Sequence, residues 1–301
     1  MASAPARSAI RARGHLWPFL LPAVLLVSLF YILPNLLNFV LGLTNWSSAH
    51  SDIRFNNFRN FVDLYQDKTI WSSIWTTVRF AITVMVVENA VALTLALALR
   101  ESTPLNLVLR LVFFLPVLIS PLAAGFIFSG LLAPSGTYNG IFTALGKLVG
   151  LAPIDFGWLG SVTVTLYVVA CIHAWKFGGV HMFVYVAGLM AIPEELTEAA
   201  RVEGAGPWHT FAHVTIPLLG PALTFNITLT LIGALSIFDV VLATTKGGPG
   251  RVTEVMNMIV YRQFGTGAFG FAVAIAAVLF FIILLVAVPL VTYLRRREVE
   301  L

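Results

Sequence analysis

Charged residues and cysteine are scarce in this sequence. Only 11% of its 301 residues are charged, whereas 58% are hydrophobic, and the mean hydropathy is +0.90. A soluble domain needs more polar surface than this composition supplies, so the chain is predicted to lie in a membrane. The single cysteine, Cys171, excludes an internal disulfide and a cysteine cluster for metal. We interpret it as a small buried apolar residue.

Catalytic motifs are also missing. The phosphate-binding loop G-x-x-x-x-G-K-[ST] and the hydrolase patterns H-E-x-x-H and G-x-S-x-G do not occur. His209 and His213 are four residues apart but lack a third ligand, so no metal site is predicted. The net charge of +4 comes from basic flanks without a basic, aromatic-rich stripe, which gives no reason to expect nucleic acid. We therefore predict no enzyme activity and no cofactor on this chain.

Six apolar segments are long enough to cross about 30 Å of hydrocarbon at about 1.5 Å per helical residue. None alternates strictly between polar and apolar residues, which favours helices over a transmembrane barrel. The predicted spans are 16–41, 71–99, 108–132, 162–190, 217–242 and 269–293. The sequence thus predicts an all-α, polytopic protein with one transmembrane domain over residues 1–301.

The ends of the chain indicate its orientation. Arg7, Arg11 and Arg13 precede the first span, and three arginines at 295–297 follow the last. Lys and Arg are enriched in cytoplasmic segments, so both termini are predicted to be cytoplasmic. The charged connection at 193–216 then also lies in the cytoplasm.

That connection is predicted to form a helix-turn-helix. Pro193 favours a helix start, and Glu194 and Glu195 would follow at its positive end. Gly204 can take the left-handed conformation that ends a helix, and Pro207 would start the second helix. A short charged helix with two alanines is suited to close contact with a groove on another protein.

The spacing within this connection is specific. Glu198-Ala199-Ala200 is followed after three residues by Gly204, and after nine more by Val214, with Ile216-Pro217 behind it. This order resembles the E-A-A signature of ABC importer permeases, the loop by which the membrane subunit docks on its ATPase. Glu203 stands where the family commonly has Asp, and it keeps the charge. The residues predicted to couple to an ATPase are Glu198, Ala199, Ala200, Glu203, Gly204, Ala205 and Pro217.

A second stretch narrows the resemblance. The sequence FDVVLATTKGGPG, followed by Tyr261-Arg262, resembles the permeases of the maltose and glycerol-3-phosphate branch. The resemblance implies an inner-membrane subunit for binding-protein-dependent uptake of a sugar or polyol, in a bacterium or archaeon. It also implies a second homologous permease, an ATP-binding subunit dimer that carries ATP and magnesium, and an extracytoplasmic solute-binding protein. The alternatives are a permease for glycerol phosphate and a secondary transporter driven by an ion gradient.

Polar side chains inside the spans are candidates for a substrate path, because they are costly in lipid. His173 and Lys176 are three residues apart in the fourth span, with Trp175 beside them. An aromatic ring beside hydrogen-bonding groups suits a sugar. The fifth span would add a second polar set: Asn226, Ser236 and Asp239. The alternative is a purely structural role, in which Lys176 and Asp239 only pair with neighbouring helices.

Glu88 and Asn89 interrupt the second span with two adjacent polar side chains. Polar groups of this kind often hydrogen-bond across packed membrane helices. We interpret the pair as holding helices together rather than as contacting substrate.

Overall fold

The computed structural model describes residues 17–49, 52–148 and 156–298. Over these residues the backbone is helical apart from turns, loops and one isolated antiparallel bridge between Thr44 and Phe55. The prediction of an all-α fold is confirmed.

Fifteen α-helices follow one another along the described residues, with π turns at Ser28–Ile32 and Phe211–Thr215 and a 3-10 turn at Leu115–Leu118. They are α1 (Trp17–Val27), α2 (Leu33–Leu41), α3 (Arg59–Gln66), α4 (Lys68–Ala98), α5 (Pro104–Phe114), α6 (Pro121–Leu131), α7 (Thr137–Leu148), α8 (Thr165–Ala191), α9 (Glu194–Val202), α10 (Pro207–Thr210), α11 (Ile216–Leu218), α12 (Gly220–Leu235), α13 (Asp239–Thr244), α14 (Met256–Gly265) and α15 (Phe269–Arg295).

Four helices are individually long and apolar enough to cross a membrane: Phe19–Leu41, α4, α8 and α15. Two bent pairs meet the same test only when each pair is taken together, which gives up to six spans. The four continuous helices lie close to the first, second, fourth and sixth predicted segments.

The third predicted span, 108–132, is not one straight helix. Pro104–Leu118 and Pro121–Leu131 meet at an angle of 97°. Pro121 lacks a backbone N–H and restricts Ser120 to an extended conformation, with φ of −61° and ψ of 146°. The Ser120 side chain then accepts a hydrogen bond from Ala123 N at 3.1 Å and starts α6.

The fifth predicted span, 217–242, is also divided. Pro207–Leu218 and Gly220–Leu235 are bent by 71°, so Pro217 lies before the bend and outside the long helix α12. The helix ends again at Leu235 and resumes at Asp239, because Phe238 takes a non-helical backbone conformation. An apolar composition thus predicted the span but gave no sign of the breaks within it.

The described chain divides into two compact units. The first contains residues up to 66 together with 263–277, and the second contains 67–262 together with 278 onward. In the first unit, the Asn60 side chain donates to Gly42 O at 2.8 Å, and Gly270 N donates to Trp46 O at 2.7 Å. These bonds give hydrogen-bond partners to the backbone carbonyl groups of Gly42 and Trp46, in the turn that follows α2.

The second unit is built around α4, α8 and α12. Apolar side chains of all three helices are buried together, among them Phe80 and Val84 of α4, Val169 of α8 and Leu231 of α12. Gly179 of α8 lets the end of α5 approach closely, since a Cβ there would lie 2.1 Å from Phe113 O.

Cys171 is exposed on α8, so the interpretation of it as a buried residue is wrong. The neighbouring positions Ile172, His173 and Ala174 are the buried ones. A helix in lipid is not compelled to bury a small apolar thiol, because the surroundings of its outer face are apolar as well.

Candidate functional site

The connection after α8 forms two helices with a tight turn between them. Helix α9 begins at Glu194, directly after Pro193, and ends where Gly204 takes a φ of +88°. Ala205 N donates to Ala200 O at 2.9 Å and Gly204 N donates to Arg201 O at 3.0 Å, which is a glycine-terminated helix end. The backbone of this turn therefore depends on a residue without a side chain.

The surface of this connection is exposed and partly apolar. Val202 is 89% exposed, Trp208 is 77% exposed and Leu196 is 40% exposed, while Glu198 and Ala199 are exposed beside them. Large apolar side chains at the end of a charged helix are typical of a surface that another protein covers. Its role in coupling stays a prediction.

A second feature is a buried polar network between α4, α8 and α12. The Glu88 carboxylate is fully buried, with Oε2 2.9 Å from Nδ1 of His173 and Oε1 2.8 Å from Nε2 of His181. Asn226 Nδ2 donates to His181 O at 3.0 Å, which turns Asn226 Oδ1 toward Nδ1 of His181 at 2.8 Å. Because an amide oxygen only accepts, that His181 nitrogen carries the proton.

The network continues at Asn89, the neighbour of Glu88, and at Tyr185, one turn after His181 on α8. Tyr185 donates its hydroxyl hydrogen to Asn89 Oδ1 at 2.5 Å, and Asn89 Nδ2 donates to Thr230 Oγ1 at 3.3 Å. Glu88 and Asn89 thus join α4 to α8 and α12. These contacts agree with the interpretation that the pair holds helices together. Each such bond stabilises packed membrane helices by about 0.6–2 kcal/mol.

One face of this network opens into a cavity of about 260 Å³. The polar residues that line the cavity are Glu88, His173, His181, Thr230, Ser236 and Asp239, and the ring of Phe177 lines it as well. The break between α12 and α13 lies beside this cavity, and Ser236 and Asp239, one on each side of the non-helical residue Phe238, both line it.

The predicted path residues do not all meet in this cavity. His173, Ser236 and Asp239 line it, whereas Asn226 lies behind His181. Lys176 is buried elsewhere: its Nζ donates to Val117 O at 3.1 Å and lies 4.5 Å from the ring of Phe177.

Trp175 points away from the network. Its ring packs edge-on against Phe128 at 5.0 Å, and the side chain is 44% exposed. On a helix with 3.6 residues per turn, residues two apart such as His173 and Trp175 face different directions.

Sequence reasoning missed His181 and Thr230 as cavity residues. His181 follows His173 by about two helical turns, so one buried carboxylate can reach both rings. A buried Glu in a membrane helix needs a polar partner on a neighbouring helix, so Glu88 was a signal in the sequence that could have indicated a histidine such as His181. Among the described residues, no group of three or more His, Cys, Asp or Glu side chains could hold a metal ion.

The chain is similar to known transport proteins over most of its length. Residues 88–299 match the family described as binding-protein-dependent transport system inner membrane component. The trehalose/maltose transport system permease protein of Thermococcus litoralis is 30% identical, covering 88% of both chains. The lactose transport system permease protein of Rhizobium radiobacter is 30% identical over 90% of both, and a probable starch degradation products permease of Thermoanaerobacterium thermosulfurigenes is 28% identical over 95% of both.

The fold has a solved counterpart. A chain in the crystal structure of a bacterial ABC transporter involved in import of the acidic polysaccharide alginate aligns with a TM-score of 0.79. It is 22% identical, and the alignment covers 96% of this chain and 98% of that one. The helices, the membrane spans and the match over residues 88–299 lead to one conclusion. This chain belongs to the binding-protein-dependent inner membrane components, the non-enzymatic permease subunits of ABC transporters.

Proposed function

We propose that this permease is one of two membrane subunits of an importer for a sugar or related polyol. The names of several relatives support a sugar: trehalose and maltose, lactose, starch degradation products and multiple sugars. Family membership favours energy from ATP on another chain over the alternative of an ion gradient.

The exposed helix α9 is the observation that carries the coupling role. We propose that Glu198, Ala199 and Ala200 contact a groove on the ATP-binding subunit, with Glu203, Gly204, Ala205 and Pro217 setting the geometry of the loop. The small alanines allow close backbone approach, while Glu198 would make a charge-assisted hydrogen bond to a cationic side chain. ATP and magnesium would then lie on an ATPase dimer, and a second homologous permease would complete the membrane part.

The cavity beside Glu88 suits a neutral, hydroxyl-rich solute. Sugar hydroxyls can donate to the carboxylate of Asp239, which is exposed to the cavity, and the ring of Phe177 offers an apolar surface for C–H groups. No Lys or Arg lines this cavity among the described residues, which disfavours a glycerol phosphate. We propose His173, Ser236 and Asp239 as residues of the substrate path. Trp175, Lys176 and Asn226 do not line this cavity, and their contact with substrate stays a prediction.

The proposed mechanism is alternating access. Closure of the ATPase dimer would displace the docked loop at 193–216, and the bundle of α4, α8 and α12 would pass the motion to the cavity. A solute-binding protein would deliver substrate on the opposite side, with both termini of this chain in the cytoplasm. We propose the bacterial or archaeal inner membrane as its location.

The test is reconstitution of the complete complex in lipid vesicles with labelled solutes. ATP-dependent uptake of a maltose, trehalose or lactose panel, and none of glycerol 3-phosphate, is the expected result. Uptake that persists without ATP, or that is restricted to glycerol 3-phosphate, would contradict the proposal.

A further inference from the structure

A second cavity, of about 420 Å³, lies along the first three turns of α4. Three cationic side chains line it: Lys68 and Arg79 of α4, and Arg251 of the loop before α14. Thr69, Ser72, Thr76 and Trp75 line it as well, and no carboxylate does so among the described residues. Its chemistry is therefore that of a site for an anion.

Two of the three cations have no counter-ion within the described ranges 17–49, 52–148 and 156–298. Neither Lys68 nor Arg79 forms an ion pair with any described residue. Arg251 differs, since it pairs with the buried carboxylate of Glu254, which also binds Arg262, and it donates to Thr69 Oγ1 at 3.2 Å. Arg251 is thus held in place, and the charges of the other two remain to be balanced.

The depth of Arg79 points to the membrane surface. Helix α4 has 31 residues and is about 46 Å long, so, upright and centred on a hydrocarbon core of about 30 Å, it would extend about 8 Å beyond each boundary. Arg79 follows Lys68 by eleven residues, about 16 Å, so in that placement its Cα would lie about 8 Å inside the boundary.

Side-chain direction resolves this unfavourable position. Side chains of an α-helix tilt toward its N-terminus, and a long Arg can extend its guanidinium to the interface. For Arg79 that direction leads toward Lys68, which agrees with the two side chains lining one cavity. Trp75, 63% exposed, lies between them at the level where tryptophans are enriched in membrane proteins.

We propose that this cavity binds the phosphate of an anionic phospholipid headgroup. The guanidinium of Arg79 and the ammonium of Lys68 would hold the phosphate oxygens from two sides, with the Ser72 hydroxyl as a further donor and the indole of Trp75 against the glycerol region. Basic pockets between membrane helices hold acidic lipid headgroups by the same charge attraction. The site lies apart from the cavity beside Glu88 and does not depend on the proposed substrate.

Native mass spectrometry of the full-length chain, purified in mild detergent and titrated with phosphatidylglycerol, tests the site. Arg79→Gln and, separately, Lys68→Gln should each reduce retained lipid about tenfold. Arg54→Gln, which changes an exposed arginine outside the cavity, should retain lipid as wild type does. The wild-type chain should prefer phosphatidylglycerol to phosphatidylcholine, and 10 mM inorganic phosphate should not displace the lipid.

Two results would overturn the inference. Equal lipid retention by wild type and both cavity variants would show that these cations do not bind lipid. Displacement by inorganic phosphate would assign the cavity to a free anion instead. Circular dichroism of each variant separates loss of the site from loss of the fold, and Lys68→Gln, at the exposed start of α4, provides a second reading if Arg79→Gln unfolds.

Discussion

Replacing Gly204 with valine isolates the contribution of the turn between α9 and α10. The φ of +88° at this position is strained for any L-residue and especially for a β-branched one. A Cβ added there would meet no atom within 4 Å, so the effect acts through the backbone alone. The strain amounts to about 1–3 kcal/mol, which lowers the population of the observed turn roughly 5- to 150-fold.

Two control variants separate strain from added bulk. A Cβ added at Gly206 would also meet no atom within 4 Å, but the φ of −69° and ψ of 165° at that position are accessible to valine, so Gly206→Val should have a much smaller effect. Gly204→Asn should recover part of the function, because Asn tolerates positive φ better than other side chains do.

The measurement is co-purification of the ATP-binding subunit together with ATP-dependent uptake. We expect Gly204→Val to lose most of both while still inserting in the membrane, with the order wild type, Gly206→Val, Gly204→Asn, Gly204→Val. Wild-type co-purification and uptake by Gly204→Val, or equal losses in the two valine variants, would refute the reasoning that the turn positions the loop.

Further predictions concern the loop, the cavity and the network. Glu198→Ala should weaken ATPase binding by about 1.5–3 kcal/mol, up to about a hundredfold, in a pull-down titration, whereas Glu195→Ala on the same helix should have little effect; equal affinities for the two would exclude a specific contact. His173→Ala should reduce sugar uptake more than Trp175→Ala, since of these two residues only His173 lines the cavity beside Glu88. A larger loss with Trp175→Ala would contradict the assignment of this cavity to the substrate path. Glu88→Leu should lower the melting temperature in detergent through the loss of two contacts of about 0.6–2 kcal/mol each, and an unchanged melting curve would mean that the network adds no stability. The purified chain alone should hydrolyse no ATP above background in a phosphate-release assay, while hydrolysis that co-elutes with it would contradict its place as a transport subunit.

Composition and local signals were sufficient for the helical elements. An apolar stretch of more than twenty residues has few alternatives to a helix in lipid, so the spans at α4, α8 and α15 agree closely with those expected. The helix end at Gly204 was equally local, because its cause lies in the conformational freedom of one residue.

The breaks near Ser120 and Phe238 were not predicted, although both lie in apolar sequence. Hydropathy measures the preference of a segment for lipid and is insensitive to its direction, so a bend of 97° leaves no trace in it. Pro121 was a possible signal for the first break, but proline is common in membrane helices and does not by itself specify an angle.

By itself, the sequence determined an all-helical membrane protein and a charged loop between its fourth and fifth spans, because hydrophobic length and turn chemistry act over a few neighbouring residues. Only the tertiary structure decided which polar side chains share a cavity. It brought Glu88 to His173 and His181 across 85 and 93 positions of the chain and left Trp175 facing another way. The physical reason is that helix rotation and crossing depend on how whole faces pack, and a single helix does not contain that information.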